Sequence, residues 1–338
     1  MTDILILGEA WGEKEEETGL PFSGTAGFIL NGMLDQAGIA RKECHVTNVF
    51  NLRPRPTNDV KNLCGPKGSG IPGMPELQKG KYVLSRYACE LERLYNEIKK
   101  VDPNIIIALG ATAAWSLLHT TGIKTIRGYI TRTNEAVSSK LGKVYKVLPT
   151  FHPAAIGRNW SDRPICIADL DKARRESSFP EIRRPQREIW IEPSLLDLAT
   201  FEQQHILPSQ MLSVDIETWK DQITCIGFSP NPSIALVIPF TTTRDKSGNY
   251  WNSKEEELTA WEYVRRWLSL RPSMFQNGMY DIQFLLRSYG IKVPLAVEDT
   301  MLMHYAMQPE FEKGLGFLAS IYTDEVSWKQ MRKGNKHD

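Results

Sequence analysis

An apolar run, Ile4–Leu7, passes directly into the loop Gly8-Glu9-Ala10-Trp11-Gly12. A second turn, Leu20-Pro21-Phe22-Ser23-Gly24, follows, and helix-forming sequence begins near Thr25. A strand without polar positions has no face for water and belongs inside a sheet covered on both sides. Three comparable strands, HVTNVF, NIIIALG and KVLPTF, alternate with helices expected at 24–37, 82–101 and 111–118. That alternation predicts an α/β domain built on a parallel sheet. Glycine lets the backbone approach a ligand closely. Glu9 and Phe22 place a carboxylate and a phenyl ring on either side of the glycine loop, as a pocket for a flat polar ring requires.

The segment 55–81 is rich in Pro, Gly and Asn and reads as a long loop, a kind of segment that often carries function. Basic residues and two prolines, Pro180 and Pro185, mark 171–187 as the linker region. Domains are expected at 1–178 and 189–338, joined by 179–188. Beyond the linker, strands are expected at 211–216, 224–228 and 234–238, and helices at 253–270 and 281–289. With 338 residues and 41% hydrophobic content, both halves can bury a core. Residues 1–178 carry 24 Lys and Arg against 19 Asp and Glu, whereas 179–338 carry 17 against 21. The first half suits a phosphate backbone and the second a divalent cation. No apolar run reaches the ~18 residues of a membrane span, and no charged-then-apolar leader precedes the first strand. Five scattered cysteines without CxxC spacing predict reduced thiols in the cytoplasm, the host's if the source is viral.

Cutting a base from deoxyribose requires that the nucleotide be extruded into a pocket. An aromatic ring must stack on it, an amide must read its edge, and a donor must face the charge that develops on the leaving base. The blocks GEAWG, VTNVFNLRP, GATAAWSLL, Arg127-Gly128 and VLPTFHPAAIGR supply candidates, and together they closely resemble the uracil-DNA glycosylase superfamily, above all its family-four branch, over roughly residues 3–160. The resemblance implies a three-layer α/β/α fold acting on uracil-containing DNA. It puts the water-positioning loop at Gly8, Glu9 and Ala10, the stacking ring at Phe22, the uracil-reading amide at Asn48, and the electrophile at His152, followed by Pro153. The loop 154–158, ending at Arg158, would press into the duplex. Glu9, Asn48 and His152 are the implied catalytic residues.

The departures from the family pattern are specific. Trp11 stands where the family-four loop has proline. Better-known uracil-excising enzymes have an aspartate where this chain, like family four, has Ala10. Family four holds an iron–sulfur cluster on four cysteines, two of them in an N-terminal CxxC absent from this sequence. Cys89 matches one ligand and Cys64 is a neighbour, but two thiolates do not complete a four-thiolate set, so no cluster is expected. The stretch KTIRGYITRT lacks the histidine of the covalent-trapping branch, and no trapping is expected.

In LSVDIETW, Asp215 and Glu217 stand two apart on a strand and so share a face. Paired carboxylates call for a cation, with Mg²⁺ or Mn²⁺ the natural choice. NGMYDIQFL adds Asn277 and Asp281, and EDTMLMHYA adds Asp299. These blocks resemble DEDD-type 3′–5′ exonucleases, nearest the proofreading domain of family A DNA polymerases, with a ribonuclease H-like fold. The resemblance makes Asp215, Glu217 and Asp281 metal ligands and Asn277 a residue that holds the domain or the strand. The family's third motif, Tyr-x-x-x-Asp, is not formed: Tyr322 and Asp324 have the wrong spacing, and His337 and Asp338 are poor substitutes. The whole reads as a uracil-removing domain joined to an incomplete exonuclease domain, as in a phage-like replication polymerase. A family A polymerase chain or domain is the implied partner. The alternative is a non-catalytic uracil- or DNA-binding module of such an assembly.

Overall fold

The computed structural model describes residues 3–243 and 248–325. His337 and Asp338 therefore lie outside the described residues. The chain forms two compact units: one runs to Arg183 and takes back the chain from Ala319, and the other is Arg184–Leu318.

The first unit is built on five strands: β1 (Ile4–Ala10), β2 (His45–Phe50), β3 (Ile105–Leu109), β4 (Thr131–Arg132) and β5 (Lys146–Thr150). Their order is β2-β1-β3-β5-β4, parallel except for β4 at the edge. Successive side chains of a strand point to opposite faces, and the core divides accordingly. Leu5, Leu7, Ile106 and Ala108 pack with the helices Ala88–Val101 and Ala111–Leu118. Ile4, Ile6, Ile105 and Ile107 pack with Thr25–Gln36 and Arg163–Glu176. Two helical layers thus cover one sheet, and its middle is apolar through Ile4–Leu7 and Ile105–Leu109 because neither face meets water there.

Three expectations need correction. The helix expected at 82–101 begins only at Ala88. Tyr82–Val83 instead pairs with Cys64–Gly65 in a short ribbon, and Leu84 N–H bonds to the Leu63 carbonyl. The loop 55–81 is consequently part of the core, with Val60, Leu63, Ile71 and Leu77 buried. The linker region also begins later than 171, because the helix Arg163–Glu176 runs through it. Lys172 on that helix is buried and donates to the carbonyls of Gly128, Ser320 and Thr323.

A buried ionic cluster ties this helix to the sheet. Arg127 pairs with Asp169, both almost fully buried. The second carboxylate oxygen of Asp169 also accepts from the Thr150 hydroxyl at 2.6 Å. Thr150 ends β5, so the cluster fixes the backbone two residues ahead of His152.

The second unit is a six-stranded mixed sheet of β6 (Glu188–Trp190), β7 (Leu212–Trp219), β8 (Gln222–Asn231), β9 (Ile234–Pro239), β10 (Ser273–Phe275) and β11 (Ala296–Asp299), in the order β11-β10-β7-β8-β9-β6. Its core gathers Phe201, Phe228, Val264, Trp267 and Leu285. Among the described residues, no helix is long and apolar enough to cross a membrane.

Removing one partner of a buried ion pair leaves an uncompensated charge, at a cost of roughly 3–5 kcal/mol. Asp169→Ala is expected to destabilise the first unit by about that amount, read as a shift in its denaturant midpoint. A shift under about 1 kcal/mol would contradict the structural role assigned to the pair.

Candidate active site

At the carboxyl ends of β1, β2, β3 and β5, where ligands of parallel sheets bind, lies a cavity of about 880 Å³. Glu9, Ala10, Phe22, Asn48, His152 and Arg158 all stand on its wall. Two other expected residues do not. Gly8 is buried in β1, and Pro153 is buried as the first residue of the helix Pro153–Arg158.

Gly8 is nonetheless what allows the convergence. It pairs in register with Asn48. A Cβ at position 8 would lie 2.2 Å from Asn48 Oδ1 and 2.5 Å from Phe22 Cζ. The amide and the phenyl ring close over space that only glycine leaves open. Asn48 is 2% exposed, and its carbonyl accepts from Arg93 Nη2 at 2.7 Å.

Phe22 sits at φ 54°, a left-handed conformation that costs a non-glycine residue about 1–3 kcal/mol. Two contacts hold it there. Arg41 donates to the carbonyls of Phe22, at 3.3 Å, and Pro21, at 2.9 Å. Gly27 packs so tightly that a Cβ there would lie 1.7 Å from the Phe22 oxygen. The Phe22 ring consequently stacks near His152, with centroids 5.8 Å apart and planes 30° apart.

His152 caps its helix. Nδ1 accepts the Ala154 N–H at 3.2 Å. A ring nitrogen that accepts carries no proton, so in the neutral imidazole the proton is on Nε2. Burial, reinforced by the positive charge of Arg158, pulls the His152 pKa down to about 4. The residue is therefore a neutral Nε2–H donor at neutral pH. Gly110, at φ +88°, makes room for it: a Cβ there would come within 2.9 Å of His152 Cβ.

Glu9 accepts a hydrogen bond from the Thr112 hydroxyl. Burial pushes its carboxyl above the usual range, against the opposing influence of Thr112 and Arg158. The cavity thus combines a carboxylate with raised proton affinity and an imidazole with lowered affinity, a pattern characteristic of sites that move protons or stabilise charge.

Two positioning groups escaped the sequence reading. Glu15 is buried and accepts Gly12 N–H at 3.1 Å and Gly24 N–H at 2.9 Å. It staples the two glycine turns together. Its signal was present in the Gly12-x-x-Glu15 spacing, that of a capping box. Thr112, the partner of Glu9, offered no comparable signal. Trp11 lines the cavity without filling it, and its backbone N–H donates to the Leu52 carbonyl at 3.2 Å. A proline in its place could not make that bond. The segment 154–158 also differs from the expected wedge loop. It is helical and Ile156 is fully buried, so only its far end faces outward.

The cysteines do not supply a cluster site. Cys166 is buried with its thiol pushed up to about 12, and Cys44 is pushed up to about 11, both chiefly by burial. Cys64 and Cys89 donate to the nearby carbonyls of Val60 and Arg86. Among the described residues, no three His, Cys, Asp or Glu side chains form a group that could hold a metal ion.

In the second unit, Asp215 and Glu217 share the exposed face of β7 as their spacing requires. Asp281 lies against that strand, its Oδ1 accepting Ile216 N–H at 3.1 Å. Burial raises its carboxyl to about 6, with a further upward contribution from Asp215. The three carboxylates do not close into a three-ligand group as placed. Asp299 serves a different purpose. It accepts the N–H groups of Asn277, Gly278, Met301 and Leu302 and so caps its own helix. Asp324 lies 4.0 Å from Arg175, in the first unit.

Residues 1–176 match the family described as the uracil DNA glycosylase superfamily. A type-4 uracil-DNA glycosylase of Thermotoga maritima is 32% identical over 181 residues, covering 51% of this chain and 77% of that protein. A type-4 uracil-DNA glycosylase of Pyrobaculum aerophilum is 31% identical over 164 residues, covering 46% and 68%. Among solved structures, Brucella melitensis NrnC is 16% identical, with a TM-score of 0.28 over 43% of this chain and 63% of that one. So slight a likeness carries no argument.

The neutral state of His152 is directly measurable. Its ring resonances are expected to titrate with a midpoint of about 4 rather than the ordinary 6.5, and Arg158→Ala is expected to move the midpoint upward. A midpoint near 6.5 would refute the buried, neutral assignment.

Proposed function

The chain belongs to the uracil DNA glycosylase superfamily, and on that premise we propose that its first unit excises uracil from DNA by hydrolysing the N-glycosidic bond. The observation that carries this reading is the convergence of Phe22, Asn48 and His152 on one cavity with Glu9. An extruded base stacks on Phe22, a contact worth roughly 1–3 kcal/mol. The Asn48 amide, both donor and acceptor, reads its polar edge. As the bond from C1′ to the base nitrogen breaks, its electron pair moves onto the base. The Nε2–H of neutral His152 is a fixed donor for the carbonyl oxygen that gains charge. A neutral donor is suited to this task because it leaves no buried cation when the base is absent. Glu9, with the backbone at Ala10, faces the sugar. Its carboxylate orients the water, takes its proton as the water oxygen bonds to C1′, and balances the cationic sugar. No step runs through an iron–sulfur cluster, for which the described cysteines do not form a ligand set.

The rival reading, a uracil-binding module of a polymerase assembly without catalysis, rests on Trp11 and on the missing cluster cysteines; Trp11 lines the cavity without filling it. For the second unit, the motifs around Asp215, Glu217 and Asp281 support a proofreading-type exonuclease domain of ribonuclease H-like fold, joined to a replication polymerase. If loaded, Mg²⁺ or Mn²⁺ there would polarise a phosphodiester. With Asp299 committed to backbone amides and Asp324 beside Arg175, the unit lacks a fourth acidic ligand among the described residues.

Release of free uracil from an oligonucleotide containing one deoxyuridine, with EDTA present, tests the first reading. His152→Ala and Asn48→Ala are each expected to lower the rate about 10²–10³-fold, the usual effect of removing one donor from a charge-stabilising site. Tight binding without release by the unaltered protein would replace the enzyme with the module. In Mg²⁺ without EDTA, little digestion of single-stranded DNA is expected. Robust digestion lost in Asp215→Ala would overturn the view that the second site is incomplete.

A further inference from the structure

Two large aromatic side chains close in sequence to the cavity wall are exposed. Phe28 is 81% exposed and Trp160 is 60% exposed. Each follows closely on a residue of the cavity wall. Thr25 lines the cavity, and Phe28 lies three residues further along the same helix, about 4.5 Å along its axis at the usual rise. Arg158 lines the cavity, and Trp160 is two residues beyond it.

These residues belong to one surface. The helices Thr25–Gln36 and Pro153–Arg158 pack together where Gly157 meets Ile29. Phe28, Gly32 and Gln36 recur at four-residue spacing and so share a helix face. Arg163 lies across that face, donating to the Gly32 carbonyl at 3.2 Å and to Gln36 at 2.8 Å. The guanidinium of Arg163 sits over the Trp160 ring at 5.1 Å. Phe28, Arg163 and Trp160 form a ridge of ring, cation and ring.

The helix Glu13–Thr18 also reaches the cavity wall, but its carboxylates are paired: Glu17 with Lys14, Glu13 with Arg53, and Glu16 with Arg53 and Arg55. The cationic track for a phosphate backbone is therefore the Arg158–Arg163 side.

We propose that Phe28 and Trp160 are base-stacking platforms for the nucleotides flanking the extruded one, and that the substrate is consequently a single strand. Bases of a duplex have their faces covered by stacked neighbours, so a duplex offers a single opening at most. A strand without a complement can lay successive bases on separate rings beside a cationic track, the arrangement by which single strands are held without sequence preference. Both rings are exposed in the free protein, so truncating Phe28 leaves the core intact and truncating Trp160 gives up only the Arg163 contact. This inference rests on the reading of the cavity as a uracil site, but the stacking has its own readout.

The test is uracil release from a single-stranded oligonucleotide with one deoxyuridine, and from the same strand annealed to its complement. A labelled thymidine-only oligonucleotide, followed by anisotropy, reports strand binding without chemistry. The unaltered protein is expected to favour the single strand in kcat/KM. Phe28→Ala and Trp160→Ala are each expected to raise the single-strand KM roughly tenfold, consistent with the stacking worth of one base, with the change falling on KM rather than kcat. Trp160→Phe, which keeps an aromatic plane, is expected to restore most of the loss. Uracil release that is unaffected by both alanine variants, or a clear duplex preference, would overturn the platforms and leave the glycosylase standing. Binding of the thymidine strand that weakens in both variants, with no uracil released by any form, would keep the platforms and sink the catalytic reading.

Discussion

The site depends on an atom that is absent. At Gly8 the backbone of β1 passes so close to Asn48 Oδ1 and the Phe22 ring that a single methyl would occupy the space both now share. Three chain segments distant in sequence meet at this point: the first strand, the turn after the first helix and the second strand. The parallel pairing of β1 with β2 sets Asn48 opposite Gly8. Arg41 and Gly27 then hold Phe22 in a backbone conformation it would not choose alone. The strain at Phe22 is offset by those contacts, and its benefit is a ring that belongs to the core and at the same time lines the cavity.

Electrostatics divides the labour around that point. Burial raises the proton affinity of a carboxylate and lowers that of an imidazole. One environment therefore acts in opposite directions on Glu9 and His152. A site that must place a neutral donor on one side of a scissile bond and a negative group on the other gains from this only if the carboxylate keeps compensating partners. Thr112 and Arg158 supply that compensation. The imidazole needs none, because its Nδ1 is satisfied by Ala154 N–H. Water entering the cavity would reduce both shifts, so closure by a bound base strengthens the arrangement it uses.

Much of the first unit was legible because Ile4–Leu7 and Ile105–Leu109 are unbroken apolar runs, and that pattern has few structural solutions. The cavity residues were legible through the resemblance of GEAWG, VTNVFNLRP and VLPTFHPAAIGR to the uracil-DNA glycosylase superfamily, since each residue alone has an ordinary structural reading. What escaped depended on tertiary contacts. Tyr82–Val83 has helix-compatible neighbours, yet its hydrogen bonds go to Cys64–Gly65. The segment 171–176 looks like a linker by its charge, but Lys172 finds three carbonyls inside the fold. The segment 154–158 reads as a wedge loop, although proline at the first helical position, Pro153, is a recognisable helix-start signal. Glu15 was overlooked among four glutamates in a row of polar residues, where composition hides the one side chain that is buried.

The second unit shows how the same residue types can be diverted from chemistry to structure. Asp215 and Glu217 stay on an exposed face of β7, where a cation could reach them. Asp299, which resembles their partner in sequence, has both oxygens engaged by backbone amides at the junction of two helices. Those amides would be left without partners if the carboxylate turned toward a metal, and a lost charge-assisted bond of this kind costs about 1.5–3 kcal/mol. Asp281 is similarly tied to the fold, its Oδ1 accepting Ile216 N–H from the middle of β7.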